Sequence, residues 1–415
     1  GKGLSIWDTF STSKGKIRDG STAQQSVDFY HNYHADLKLL ESMNFRNFRF
    51  SLSWPRILPD GTGRLNPQGL DYYQRVIDTC LSMHIDPWIT LYHWDLPQAL
   101  EDKGGWTNRE IVNWFSAYVD QCTRKFGDKV KNWIVLNEPM SFTGLGYFLG
   151  FHAPGRKGIR NFFPAAHHAA LCQAEGGRII RANIPDAYIG TTFSCAHIKP
   201  VDKRELNIKA ALRMDALFNR FFIEPSLGMG YPADALGILN RIEKYYQPGD
   251  EDKLKFDFDF IGLQYYFRMI SKFSVIPPFV FASEIPAAER NVNMNSMGYE
   301  IFPKGLYKVL NKFGQYKGIR DIIITESGVC LDDSLSEGRI NDQARIDYFK
   351  ESLAYLHKAQ QKGIRVKGFF VWTLTDNFEW NEGYNPRFGL VYVNFENQER
   401  FIKNSGLWFR DFLGV

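Results

Sequence analysis

Trp133-Ile134-Val135-Leu136-Asn137-Glu138-Pro139 is a run of apolar, strand-forming residues that stops on a carboxylate and a proline. Four apolar residues in a row leave no polar face, as expected of a strand buried on both sides. Ile322-Ile323-Ile324-Thr325-Glu326-Ser327-Gly328 repeats the pattern and also ends on a carboxylate. Working outward, five more runs share this character: Phe45–Trp54, Pro87–Tyr92, Ala187–Ser194, Asp259–Tyr266 and Val366–Leu374. With Val130–Glu138 and Asp321–Glu326 they make seven strand candidates.

Amphipathic stretches lie between them. From Pro67 to Met83, Leu70, Tyr73, Ile77 and Leu81 recur at helical spacing, and Asn66-Pro67 predicts an N-cap followed by proline at the first helical position. From Asp342 to Lys362, Ile346, Phe349, Leu353 and Leu356 do the same. Strands alternating with helices predict parallel β/α units. Gly144–Ala165 and Lys272–Met297 read as long loops. No linker composition divides the chain, so residues 1–415 are expected to form one α/β domain, a (β/α)8 TIM barrel. Seven strands are one short of that closure.

Composition narrows the function classes. Hydrophobic content of 44% and charged content of 23% are those of a globular protein. Fifty basic against 46 acidic residues give a net charge of +4 with no basic run, which argues against nucleic acid as a partner. No apolar run reaches membrane-spanning length. Five scattered cysteines form no Cys-x-x-Cys pair, and His31 and His34 lack ligands to complete a site, so no metal is expected. The 34 Phe, 20 Tyr and 10 Trp fit first a core rich in Phe and, as the sharper reading, a pocket that stacks on apolar sugar faces.

At the C-terminal ends of barrel strands side chains converge on one pocket. Two carboxylates converging there, Glu138 and Glu326, suit glycoside hydrolysis, in which one protonates the leaving oxygen while the other attacks the anomeric carbon.

The chain resembles glycoside hydrolase family one from Gly3 to about Phe412. The resemblance rests on Leu4–Phe10 (LSIWDTF), Phe48–Ile57 (FRFSLSWPRI), Leu91–Pro97 (LYHWDLP), Leu136–Pro139 (LNEP), Thr325–Gly328 (TESG) and Trp372–Trp380 (WTLTDNFEW). It implies a β-glucosidase-like retaining enzyme that needs no cofactor and acts on small-molecule or oligosaccharide β-glycosides by double displacement. It implies Glu138 as acid/base and Glu326 as nucleophile. His93 and Asn137 would meet the sugar's 3- and 2-hydroxyls, Glu379 the 4- and 6-hydroxyls, and Trp380 the 3-hydroxyl, with Trp372 as the floor. Arg49 and Tyr266 would support the nucleophile.

Three features depart from the family pattern. Ser327 stands where the family has Asn after the nucleophile, and Gln264 stands where it has Asn before the paired tyrosines. The family's first strand, with a sugar-gripping Gln, is missing ahead of Gly3. Either an upstream segment lies outside this sequence or the barrel is open. No signal peptide is visible, so a cytoplasmic location is the expectation, with the front of the chain taken as incomplete. Two alternatives remain: a 6-phospho-β-glycosidase and a non-catalytic carbohydrate-binding barrel. Retention of Glu379 speaks against the first, and retention of both Glu138 and Glu326 against the second.

Overall fold

The computed structural model describes residues 1–277 and 279–414. All seven expected strands form, in one parallel sheet: β1 Asn47–Ser51, β2 Asp86–Tyr92, β3 Asn132–Asn137, β4 Tyr188–Ser194, β5 Phe260–Tyr265, β6 Asp321–Ser327 and β7 Val366–Val371. They are paired in that order. Isoleucine, valine and aromatic residues fill the central strands because both faces are covered, and β5 is buried at all six positions.

The sheet curls into a barrel. Trp88 of β2 meets Phe370 of β7 edge-on at 5.2 Å, although the two strands lie near opposite ends of the pairing order. With Ile134, Phe260 and Ile323 these rings fill the interior. Gly190 makes room for that layer: a Cβ there would come within 2.3 Å of the Phe260 ring.

β1 and β7 stand at the two ends of the pairing order, and no pairing joins them among the described residues. A cavity of about 480 Å³ follows the seam between them, lined by Arg49, Phe48, Trp88, Phe369, Phe370 and Phe409 among others. The gap expected between these two strands therefore persists among the described residues. Re-closing seven strands would have changed tilt and stagger around the whole sheet.

Helices flank the strands, among them α1 Ile6–Ser11, α2 Phe29–Ser42, α3 Pro67–Ser82, α4 Ile111–Phe126, α5 Ile159–Asn183, α6 Lys304–Phe313, α7 Gln343–Gln361 and α8 Asn404–Leu413. None is long and apolar enough to cross a membrane. Three expectations need correction. The run Phe45–Trp54 is a strand only over Asn47–Ser51, because Trp54-Pro55 opens a short helix whose proline fits the first turn. Asn66 does sit at the N-cap of α3, but its amide donates to the Arg56 carbonyl at 2.8 Å instead of capping the helix. Gly144–Ala165 is no simple loop: it contains a π-helical turn at Gly144–Leu149 and the first turns of α5. α5 is buried nearly all round, so it has no polar stripe to read as a helix. Lys272–Met297 stays largely irregular, with a short strand at Ser283–Glu284; its Pro278 lies outside the described residues.

Three register irregularities fall near the upper ends of the strands. They lie between Ile134 and Asn137 in β3–β4, between Leu263 and Gln264 in β5–β6, and between Phe369 and Val371 in β6–β7. The second brings Gln264 opposite Glu326. Bulges re-aim side chains, and here they do so where the carboxylates stand.

Candidate active site

Glu326 ends β6 in extended backbone, while Glu138 follows β3 at φ 44°, in the left-handed region. That conformation costs a side-chain-bearing residue on the order of 1–3 kcal/mol. Pro139 starts a short helix directly afterward, and the Glu138 amide donates to the Thr192 carbonyl at 2.9 Å, so the turn is fixed on both sides. Trp94 and Trp380 also adopt positive φ, at 76° and 50°.

The two carboxylates are buried alike, at 7% and 5% exposure, but are treated differently. Glu326 accepts from Arg49 Nη1 at 2.5 Å and from the Tyr266 hydroxyl at 2.7 Å. Burial, followed by the charge on Glu326, pushes the Tyr266 phenol far above its ordinary pKa, so it stays a neutral donor. Glu138 is pushed well above the usual carboxylate range, first by burial and then by the charge on Glu326. The pair is thus treated unequally: two donors hold Glu326, whereas burial and the neighbouring charge favour the protonated form of Glu138.

Arg49 organises the rest of the pocket. Its Nε donates to Thr90 Oγ1 at 3.1 Å, and its Nη2 to Asn137 Oδ1 at 2.5 Å. Gln264 Nε2 donates to the same Asn137 oxygen at 2.8 Å. A guanidinium only donates, so these contacts fix the Asn137 amide with its nitrogen turned toward His93 Nε2, 3.1 Å away. His93 Nε2 must then accept, which places the ring proton on Nδ1, facing Ser51 Oγ at 3.2 Å. Burial and the Arg49 charge hold His93 far below its ordinary pKa and keep it neutral.

The loop after β7 supplies the remaining predicted residues. Glu379 Oε2 has no hydrogen-bond partner, and its carboxyl is raised to about 8, first by burial and then by Glu326. Trp380 stacks obliquely on Trp94 at 4.8 Å and on Trp7 of α1 at 4.6 Å, while Trp372 faces the His93 ring at 6.0 Å. Each candidate site residue is thus linked to Glu326, Asn137 or His93 by a contact or by the charge acting between them.

Sequence reasoning missed several supports. Trp94 donates its indole N–H to the Asn137 carbonyl at 2.9 Å, and His152, packed against Trp7 and Trp94, pairs with Asn381 at 2.7 Å. Trp94 lay within a quoted motif, so its neighbour His93 was the available signal; nothing in the sequence pointed to His152. Of the two departures, Gln264 reaches Asn137, and Ser327 Oγ donates to the Tyr265 carbonyl at 2.9 Å while accepting from Tyr348 at 2.8 Å. Neither leaves the neighbourhood of Glu326 unsupported.

Comparisons with known proteins agree with this geometry. The family model described as glycosyl hydrolase family 1 matches residues 1–414. β-Glucosidase A of Thermotoga maritima is 41% identical over 412 residues, 99% of this chain and 91% of its own. β-Glucosidase 42 of Arabidopsis thaliana is 38% identical over 99% of this chain and 89% of its own. A solved structure of the Thermotoga maritima β-glucosidase in complex with deoxynojirimycin superposes with a TM-score of 0.96 at 41% identity, covering 100% of this chain and 93% of that one. The chain belongs to glycosyl hydrolase family 1, a family of retaining β-glycosidases built on the (β/α)8 barrel.

Proposed function

We propose that this chain is a β-glucosidase in which Glu326 is the nucleophile and Glu138 the acid/base. The observation that carries the reading is the electrostatic split: Glu326 holds two strong donors, Arg49 and Tyr266, whereas Glu138 is raised by burial and by Glu326. In the first step a Glu326 oxygen bonds to the anomeric carbon as the glycosidic bond breaks, and Glu138 gives its proton to the departing oxygen. In the second step Glu138, now ionised, takes a proton from water, the water oxygen bonds to the anomeric carbon, and Glu326 leaves as carboxylate. Two inversions retain the β configuration.

The relatives' names support glucose as the glycone. The unpartnered Glu379 Oε2, the amide nitrogen of Asn137 and the neutral His93 are groups that a sugar's hydroxyls would satisfy. A 6-phosphate on that sugar would instead meet Glu379 and Glu382, the latter already paired with Arg18 at 2.6 Å. Unphosphorylated β-glucosides are therefore the favoured substrates. The proposed ligand is a small-molecule or oligosaccharide β-glycoside.

Glu138→Ala tests the assignment. It is expected to lower turnover of alkyl β-glucosides by about 10³-fold or more, while the first step with a dinitrophenyl glucoside, which needs no proton, is nearly spared. Equal losses on both substrates, or hydrolysis with inverted configuration by NMR, would overturn the reading.

A further inference from the structure

Lys403 stands just ahead of α8 with no exposure to solvent, and its ammonium touches two loops at once. Its Nζ donates to Asp376 Oδ1 at 2.7 Å and to Asp333 Oδ2 at 2.5 Å. Asp376 belongs to the loop after β7 and precedes Glu379 by three residues and Trp380 by four. Asp333 belongs to the loop after β6, seven residues beyond Glu326. One buried cation thus ties the segment carrying the sugar-facing groups to the segment that follows the nucleophile.

The surroundings are built for that clamp. Asp376, itself unexposed, also accepts from Arg387 Nη1 at 2.7 Å and from the Gly389 amide at 2.9 Å. Asp333 accepts from Arg345 Nη2 at 2.8 Å, and Arg345 Nε donates to the Val329 carbonyl at 3.2 Å, three residues past Glu326. Asp342 pairs with Arg345 and accepts from the Ser405 amide at 2.8 Å, which anchors the start of α8. Three aspartates face three cations, so the cluster is balanced, and removing one member would strand a buried charge.

A cluster whose sole task was stability could be replaced by apolar packing at little cost. This one ties the loop that carries Glu379 and Trp380 to the segment that continues from the strand bearing Glu326. The Glu379 amide donates to the Gly383 carbonyl at 2.7 Å, a contact within the same loop, while its Oε2 has no hydrogen-bond partner among the described residues. Its placement accordingly depends on how the loop is held.

We propose that Lys403 is a positioning residue for the sugar pocket, acting through Asp376 to hold Glu379 and Trp380 in register with Glu326. This rests on the reading of Glu379 as the partner of the sugar's 4- and 6-hydroxyls. The effect must then fall on recognition of the sugar's far edge rather than uniformly on activity. A β-xyloside, which lacks the hydroxymethyl group at C5, reports the difference.

The test compares 4-nitrophenyl β-D-glucoside with 4-nitrophenyl β-D-xyloside for wild type, Lys403→Met, Asp376→Asn and the double variant, well below each melting temperature. The glucoside kcat/KM is expected to fall about 10–100-fold in Lys403→Met, mainly through KM, with the glucoside-to-xyloside preference reduced about tenfold. Asp376→Asn should show the same loss of preference, and the double variant should be little worse than either single one, because both act through one contact. If Lys403→Met does not fold, Asp376→Asn carries the same expectation. An unchanged preference in the folded variants, with active wild type, overturns the positioning role and leaves the β-glucosidase reading intact. Wild type inactive on both substrates overturns that reading, and the inference with it.

Discussion

The strands β3 to β6 and the seam strands β1 and β7 belong to one sheet yet are packed differently. β5 is buried throughout and β6 at every position but its first, whereas most residues of β1 and β7 are only half-buried. A strand paired on both sides is sealed; a strand with one neighbour keeps an open edge. The proposed acid and nucleophile both stand in the sealed arc. Arg49 and the loop with Trp372, Glu379 and Trp380 come from the seam strands, and these are the groups proposed to tune charge and grip the sugar. Placing the reacting pair on rigid strands and its adjustable partners at the edge suits a site that must hold one geometry fixed.

Glycine replacements probe this contrast most strongly. In the arc, a Cβ on Gly262 would come 2.7 Å from Thr192 Oγ1 and 2.8 Å from Thr325 Cγ2. At the seam, a Cβ on Gly368 meets only Ile323 Cγ2, at 3.5 Å. Gly262→Ala should cost about 2–3 kcal/mol by denaturant unfolding, while Gly368→Ala should be neutral or stabilising by up to about 1 kcal/mol. Equal losses at the two sites would erase the distinction between arc and seam.

A smaller effect sharpens it through pH. Glu379 has a folded-state pKa of about 8 against an ordinary value of 4.5. Between those values the folded state binds more protons than the unfolded one, so this carboxyl's contribution to stability falls as pH rises through the window. Glu379→Gln should therefore match wild type in Tm near pH 4.5 and gain steadily up to about pH 8. The gain should reach a few °C by about pH 8 in a chain of this size. A Tm difference independent of pH would show that the carboxyl is not raised.

Much of this molecule was legible before its structure. Each of the seven strands was placed within a few residues, those of the sealed arc because a doubly buried parallel strand writes itself as a nearly uninterrupted apolar run. α3 and α7 were legible from their apolar spacing, since each has one wet face. α5 was missed at its start because Pro154, Gly155 and Gly158 interrupt the pattern and the helix that follows has almost no wet face. Motif residues such as Glu138, Glu326 and Glu379 could be named because they lie in contiguous stretches. The contacts of Arg49 with Asn137, 88 residues away, and of Lys403 with Asp376 and Asp333 could not. Such long-range pairings depend on how the sheet curls, which no local pattern encodes.

The central claim is that Glu326, held by Arg49 and Tyr266, forms the bond to sugar. Incubation with 2,4-dinitrophenyl 2-deoxy-2-fluoro-β-D-glucoside, followed by proteolysis and peptide mass spectrometry, tests it most directly. The fluorine slows both steps and the good leaving group restores the first, so the covalent intermediate accumulates. The account predicts loss of activity in step with one fluoroglucosyl group per chain, attached to Glu326. An adduct mapped to Glu138, Glu379 or any other residue, or full inactivation with no adduct, would contradict it.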